Sequence, residues 1–186
     1  AFYLYRQQMG DHVQTGVVGA ASVSDYLEGR VKKHEHTRPD KEDDRTHHAD
    51  AIGAHAGPVF LAYRGRPAID ALVAYGTRRD PAADFVAGDG IGHALWVVDD
   101  PAEVARFEAA LGEVPASYIA DGHHRAAAYA RVARMRRERA PGATGDQPFD
   151  RFLAVHFPAA ELRILDYNRL VRDLNGLEPS GLLRRI

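Results

Sequence analysis

A strand that passes directly into a helix at residues 118–130 constrains the fold of this chain more than any other feature. Residues 118–120 are apolar and predict a strand, Asp121-Gly122 predicts a tight turn, and the alanine-rich run from His123 predicts a helix. At such a junction the first backbone N–H groups of the helix, with its partial positive charge, lie above the end of the strand. The junction therefore predicts a binding site for an anion such as phosphate.

The side chains of the junction strengthen this prediction. Gly122 allows a ligand to approach the backbone, Arg125 can bind phosphate or carboxylate with two hydrogen bonds, and Asp121 places a carboxylate beside the imidazoles of His123 and His124. The alternative interpretation is a capped turn without function, because Asp is a common N-cap and Asp-Gly a common turn. Capping requires none of the three side chains that follow, so we favour a functional site.

Composition excludes several classes of protein. The 186 residues are 45% hydrophobic, which suits one domain with a sizeable core. The net charge of -2 predicts no general attraction to nucleic acid or to an anionic membrane. Cysteine is absent, so disulfides, thiolate nucleophiles and cysteine-based zinc sites are excluded. No apolar run approaches the ~18 residues of a membrane span, and we expect a cytoplasmic protein.

Alternating strand and helix patterns predict a compact α/β or α+β domain. Strands are predicted at residues 2–7, 15–21, 58–63, 90–98, 116–120, 149–157 and 162–165, and helices at 24–27, 37–54, 67–77, 101–111 and 122–139. We expect one domain over residues 1–176, with 177–186 as the start of a further element or a tail. Because the chain opens inside a strand pattern, we also expect it to be a central fragment of a longer protein, whose flanks could complete the site.

A second unusual segment, residues 33–37, precedes the predicted helix at 37–54. If this segment is extended, His34 and His36 face one way and Glu35 faces the other. Glu35 is then either a carboxylate directed into a site or a surface residue. The spacing is not that of the HExxH zinc signature. His47, His48 and His55 indicate a zinc site only weakly, and we interpret them as surface residues.

Two charged segments have plainer interpretations. Residues 40–45 carry alternating charges at helical spacing, which is typical of a solvated helix with ion pairs. Five arginines near the end of the helix at 122–139 complement the helix dipole and suggest a solvated face. A nucleic-acid-binding stripe is the alternative, but interleaved aromatic residues are lacking. Residues 88–92 contain part of a dinucleotide fingerprint before a strand, which predicts a tight turn, and there is no GxxxxGK[ST] phosphate loop.

Three segments together resemble the bacterial family known as domain of unknown function 1015, whose members are often described as ParB-like. These segments are residues 118–125, residues 31–37 with 41–45, and residues 92–96. The family is similar in turn to the ParB/sulfiredoxin superfamily, which implies an α+β fold with a mixed sheet and flanking helices. Sulfiredoxin chemistry is disfavoured, because its site needs a cysteine that this chain lacks. Free-serine kinases of the superfamily carry a corner like Asp-Gly-His-His-Arg and an upstream glutamate.

The resemblance implies a Mg2+-dependent kinase that transfers a phosphoryl group from ATP or ADP to a small hydroxylated amino acid, with free L-serine as the first candidate. It assigns catalysis to Glu35, Asp121, His123 and His124, and phosphate binding to Gly122, His123, His124 and Arg125. Substrate binding is predicted for His34, His36, Thr37 and Arg38. Asp121 and Glu35 would hold the metal; the helix terminus favours Asp121 for this role and leaves Glu35 as the base.

Two other functions stay open from the sequence. One is a ParB-like nucleotide-binding or DNA-associated module, which would need a basic DNA-contacting element. The other is a metal-dependent phosphohydrolase that uses His34, His36, His123 and His124. We expect neither nucleic acid nor a membrane as a partner, and the sequence predicts no oligomeric state.

Overall fold

The fold is built on one mixed sheet, and the computed structural model describes residues 1–144 and 147–185. Within these residues the chain forms eight strands and six α-helices, an α+β fold. The strands are β1 Phe2–Met9, β2 His12–Ser22, β3 Val31–Lys32, β4 Val59–Tyr63, β5 Ala83–Val86, β6 Gly92–Val98, β7 Ser117–Asp121 and β8 Arg151–Pro158. The helices are α1 Val23–Leu27, α2 Pro39–Ile52, α3 Pro67–Gly76, α4 Pro101–Gly112, α5 His123–Arg139 and α6 Pro179–Leu183.

The strands lie in the order β3-β7-β4-β8-β2-β1-β6-β5. The pairs β3–β7 and β4–β8 are parallel, and the other neighbours are antiparallel. β7 therefore lies between β3 and β4, and its register with β4 shifts between Phe60 and Leu61. Such a bulge re-aims the residues beyond it. Asp121, opposite Phe60, follows this irregularity at the end of β7.

The core consists of two clusters of buried side chains on the sheet. Leu61, Ile119 and Phe152 pack with α5 in one cluster, and Leu4 and Trp96 pack in the other with Ile69 of α3 and Phe107 of α4. Leu4 is the cross-strand partner of both Val17 and Trp96, so these residues share a face of the sheet. None of the described helices is both long enough and apolar enough to cross a membrane.

Most of the predicted elements are confirmed, within a few residues at their ends. The predicted strand at 162–165 is wrong: residues 162–170 have no regular structure, and Ile164 is 98% exposed. The predicted strand at 149–157 begins two residues later, because residues Pro148–Asp150 form a 3-10 turn. β3 and β5 were not predicted, since β3 is only two residues long and all four residues of β5 are exposed. The turn predicted at 88–92 is confirmed and joins β5 to β6.

Ion pairs attach α5 to its neighbours. Arg131 contacts Asp43 of α2, and the carboxylate of Asp50 accepts hydrogen bonds from Arg136 Nε and Arg139 Nη1, both at 3.0 Å. A further arginine, Arg137, pairs with Asp150. The prediction of a solvated arginine face is therefore incomplete: Arg137 and Arg139 are exposed and Arg131 and Arg136 are half-buried, but α2 and the turn before β8 supply acidic partners to all four. Arg134, the remaining arginine of this group, is exposed.

Candidate functional site

The corner between β7 and α5 has the geometry of an anion-binding helix terminus. Gly122 is the N-cap with φ of 98°, and no side chain caps the helix. The N–H of Ala126 makes the first backbone hydrogen bond, 2.9 Å from the carbonyl oxygen of Gly122. The N–H groups of residues 123–125 therefore have no acceptor within the helix. The interpretation of Asp121 as a simple N-cap is wrong, because its carboxylate accepts a hydrogen bond from Arg125 instead.

The guanidinium of Arg125 is held in place on two sides. Nη2 donates to Asp121 Oδ2 at 2.6 Å, and Nη1 donates to the carbonyl oxygen of Pro58 at 2.6 Å. A Cβ atom at Gly122 would lie 3.1 Å from Nε and Nη2, and one at Gly57 would lie 3.1 Å from Nη1. Arg125 therefore packs against two glycines that leave it room. Two of its five N–H donors are used, so three stay available for a ligand.

His123 is the buried centre of the site, with only 5% of its side chain exposed. Its Nε2 accepts a hydrogen bond from the backbone N–H of His34 at 3.5 Å, so the proton of the neutral ring lies on Nδ1. Nδ1 is 3.5 Å from Glu35 Oε2. Burial lowers the pKa of His123, and the neighbouring His34 lowers it further, although Glu35 and Asp121 oppose the shift. The imidazole is therefore neutral at pH 7 and directs an N–H at the glutamate.

Glu35 reaches the corner from a bend and not from an extended segment. The chain bends at this residue, and the ring of His34 lies edge-on to that of His123, with the ring centroids 4.4 Å apart. The prediction that His34 and Glu35 face opposite ways is therefore wrong, because both contact His123. The carboxylates of Glu35 and Asp121 are accessible, with 60% and 74% of their side chains exposed. The ring nitrogen Nδ1 of His124 is buried and has no hydrogen-bond partner among the described residues.

These groups line one cleft with a volume of about 570 Å³. All six residues predicted from the sequence as catalytic or phosphate-binding contribute to it: Glu35, Asp121, Gly122, His123, His124 and Arg125. The cleft is also lined by α2 and by the segment before β4, which includes Gly57. The hydroxyl of Tyr129 donates to the carbonyl oxygen of Gly57 at 3.0 Å and fixes that segment to α5. The volume is typical of clefts that bind small molecules and cofactors.

The predicted substrate residues are placed less uniformly. None of the four lines the cleft, although the ring of His34 contacts that of His123. His36 is exposed, the hydroxyl of Thr37 donates to Glu42 Oε2 at 2.9 Å, and Arg38 pairs with Asp40 at 2.8 Å. The sequence places these residues next to Glu35, whereas the bend and the start of α2 direct them to other partners.

Comparison with known proteins places the chain in a family. The family model described as "Protein of unknown function (DUF1015)" matches residues 1–186. The chain belongs to this family. No curated protein and no solved structure matches it. The family description states no activity, so the residues of the cleft are the basis for proposing a function of this protein.

Two residues of α2 that the sequence interpretation missed also line the cleft. Arg45 and His48 lie three positions apart, so they share one face of the helix. Their neighbours Asp43 and Asp50 pair with α5 and orient α2 toward the corner. A basic residue followed three positions later by a histidine was the available signal. It was hidden among alternating charges that predict a solvated helix.

The carboxylates of Glu35 and Asp121 suit Mg2+ better than zinc. Among residues 1–144 and 147–185, no three His, Asp or Glu side chains come together as metal ligands. Mg2+ is commonly bound by one or two carboxylates with phosphate oxygens and water, whereas zinc requires three or four protein ligands. Glu35 and Asp121 on one cleft therefore fit Mg2+ that is bound together with a phosphate-bearing ligand.

Proposed function

We propose that this protein is a nucleotide- and Mg2+-dependent kinase of a small hydroxylated molecule. One observation carries the proposal: a helix terminus with a fixed arginine and two accessible carboxylates face the same cleft. The first group is suited to phosphate, and the second to a metal ion and to the proton of an attacking hydroxyl. Neither half alone would favour phosphoryl transfer.

Each residue has a role in this proposal. Phosphoryl transfer depends on positioning and on stabilising charge, which the N–H groups of residues 123–125 and the free donors of Arg125 can supply. Glu35 accepts the proton of the acceptor hydroxyl, and the Nδ1–H of His123 orients its carboxylate. Asp121 and Glu35 are the groups that would hold Mg2+, which neutralises phosphate oxygens when it is bound.

L-Serine is the first acceptor to test, and ATP or ADP the first donor. This choice depends on the resemblance of the Asp-Gly-His-His-Arg corner and the upstream glutamate to free-serine kinases. We also propose that the mixed sheet and its helices are of the ParB/sulfiredoxin type and that the enzyme works in the cytoplasm. The cleft volume of about 570 Å³ is compatible with a small acceptor beside the phosphates of a nucleotide.

The two alternatives have less support. A DNA-associated module needs accessible positive charge, but four arginines of α5 pair with acidic residues. A phosphohydrolase with its own metal centre needs a cluster of ligands, which the described residues lack. A salt titration of DNA binding and metal analysis of protein purified without chelator test these two alternatives.

The experiment for the kinase proposal is a search for product. The purified protein is incubated with Mg2+, L-serine and either ATP or ADP, and O-phosphoserine is detected by 31P NMR and mass spectrometry. We expect product that disappears when Mg2+ is chelated and when Arg125 is replaced by alanine. Arg64→Ala, which removes an exposed arginine outside the cleft, is the matched control. If neither nucleotide phosphorylates serine or a related hydroxy compound, the proposal fails.

A further inference from the structure

The two arginines of the cleft differ in how their charges are compensated. Arg125 donates to Asp121 at 2.6 Å, and both charges of this pair lie within the site. Arg45 has 55% of its side chain exposed, and the nearest acidic oxygen, Asp44 Oδ2, is 4.0 Å away. At that distance in water the attraction amounts to about 1 kcal/mol or less and fixes no geometry. Arg45 is therefore the cation of the cleft that can most readily bind a second anion.

The position of Arg45 is determined by the packing of α2. Asp43 pairs with Arg131, and Asp50 pairs with Arg136 and Arg139, so that this side of α2 lies against α5. By the helical repeat, Arg45 and His48 project from nearly the opposite side of α2, and both line the cleft that contains the corner. A ligand with one anionic group at the corner would thus meet a second cationic group in the same cleft.

We propose that Arg45, assisted by His48, binds the carboxylate of the acceptor, so that the acceptor is a hydroxy acid and not a neutral alcohol. This inference rests on the proposed kinase function, in which the corner is occupied by phosphate. A guanidinium matches a carboxylate with two parallel hydrogen bonds, and an imidazole one turn along the helix can donate a third. The hydroxyl of such an acceptor is then oriented between Arg45 and the phosphate-binding corner.

The test compares L-serine with L-serinamide, which replaces the carboxylate by an amide of nearly the same shape. Binding to the purified protein is measured by calorimetry and by ligand-observed NMR, with and without Mg2+ and ADP, so that no turnover is needed. We expect a preference for L-serine, and we expect Arg45→Ala to weaken L-serine binding by about 10- to 100-fold while serinamide binding is unchanged. Arg45→Lys keeps the charge without the paired donors and should fall between the two.

Two controls keep the result specific. Arg64→Ala removes an exposed arginine outside the cleft and should leave the preference intact. Thermal melts of each variant show whether Arg45→Ala is folded, which its exposure leads us to expect. Affinity for Mg·ADP is measured with the same samples and should be unchanged in Arg45→Ala.

Failure of this inference can be separated from failure of the kinase. If wild-type protein binds serine and serinamide equally, or if Arg45→Ala weakens the nucleotide instead, the inference is overturned even if serine is phosphorylated. If no hydroxy acid binds, the inference is overturned together with the choice of serine as acceptor. If carboxylate binding depends on Arg45 but no phosphorylated product forms, the inference stands and the kinase proposal fails.

Discussion

The two ends of α5 use the same kinds of polar residue in opposite ways. Toward its C-terminus, Arg131, Arg136, Arg137 and Arg139 each contact an acidic side chain of a neighbouring element. At its N-terminus, the N–H groups of the first turn lack acceptors, one ring nitrogen of His124 has no partner among the described residues, and Arg125 keeps unused donors. The arginines near the C-terminus are therefore paired within the protein, whereas the groups at the N-terminus keep hydrogen-bonding capacity for a ligand.

This contrast teaches that charge density alone does not identify a site. The C-terminal half of α5 carries more positive charge than the N-terminal turn, yet its arginines attach α2 and the turn before β8 to the helix. The N-terminal turn carries less charge, but its groups surround a cleft with unused hydrogen-bonding capacity. Unsatisfied groups around a concave surface are the better indicator of ligand binding.

The largest expected effect is on the N-terminal side. Asp121→Asn removes the charge of the proposed metal ligand and weakens the hydrogen bond from Arg125 without changing the shape of the side chain. We expect turnover to fall by about 100- to 1000-fold, as for the loss of a group that stabilises charge in the transition state. Steady-state kinetics measure the effect, with Asp99→Asn, an exposed carboxylate in a loop, as control. If both variants had equal activity, the N-terminal end of α5 would have no special role in turnover.

Gly122→Ala separates backbone strain from loss of the site. Both Gly122 and Gly29 have positive φ, 98° and 79°, where an alanine costs about 1–2 kcal/mol. Only at Gly122 does the added Cβ contact Arg125, at 3.1 Å, whereas Gly29 has open space. Urea denaturation should therefore show a loss of about 1–2 kcal/mol for both variants. Nucleotide binding should weaken only in Gly122→Ala, and a similar loss in Gly29→Ala would contradict this account.

On the C-terminal side we expect changes in stability alone. Asp50→Asn weakens hydrogen bonds to Arg136 and Arg139, whereas Asp44→Asn removes only a 4.0 Å contact. The melting temperature should fall more for Asp50→Asn than for Asp44→Asn, while the turnover of both variants stays close to wild type. Calorimetry and kinetic assays measure the two quantities. Loss of turnover in Asp50→Asn with an unchanged melting temperature would contradict the division between the two ends.

The smallest effect is a change in the titration of His123. Because burial lowers the pKa of this imidazole, NMR should show it titrating below 6.5 in the folded protein. The unfolded chain takes up this proton first, so the stabilising effect of the neutral ring is complete above pH 6.5 and declines as pH falls through the folded pKa. Since the carboxylate of Glu35 opposes the shift, Glu35→Gln should lower the pKa further. An unchanged pKa in that variant would mean that the two side chains do not interact.

The parts of the site that the sequence predicts are the parts determined locally. The strand, turn and helix at residues 117–139 follow from their own hydrophobic pattern and from Gly122, and the structure confirms them. The side on which Glu35 lies could not be predicted, because a bend interrupts the alternation of an extended chain. Arg45 and His48 could not be assigned to the cleft, because their direction depends on ion pairs between α2 and α5. One of these pairs joins Asp43 to Arg131, 88 positions later in the chain.

The same distinction explains the errors in the fold. β5 pairs with β6, but it has only four residues and its apolar residues Phe85 and Val86 are exposed, so its sequence is too short to show the alternation of a half-buried strand. The segment at 162–165 has suitable apolar residues but pairs with no strand among the described residues, and Ile164 is almost fully exposed. Apolar pattern predicts a strand only where a partner is available, and that information lies elsewhere in the chain.

The short pairing of β3 with β7 has a consequence for how the protein folds. Val31 and Lys32 lie opposite Ser117 and Tyr118, and this pairing brings Glu35 to the corner between β7 and α5. The two parts of the site are distant in the chain: His34 and His123 are 89 positions apart. Helical turns form in about a microsecond, whereas pairings between distant segments are slow. During refolding we therefore expect amide protons of α5 to gain protection in pulsed hydrogen exchange before those of β3, so that the cleft acquires its glutamate last.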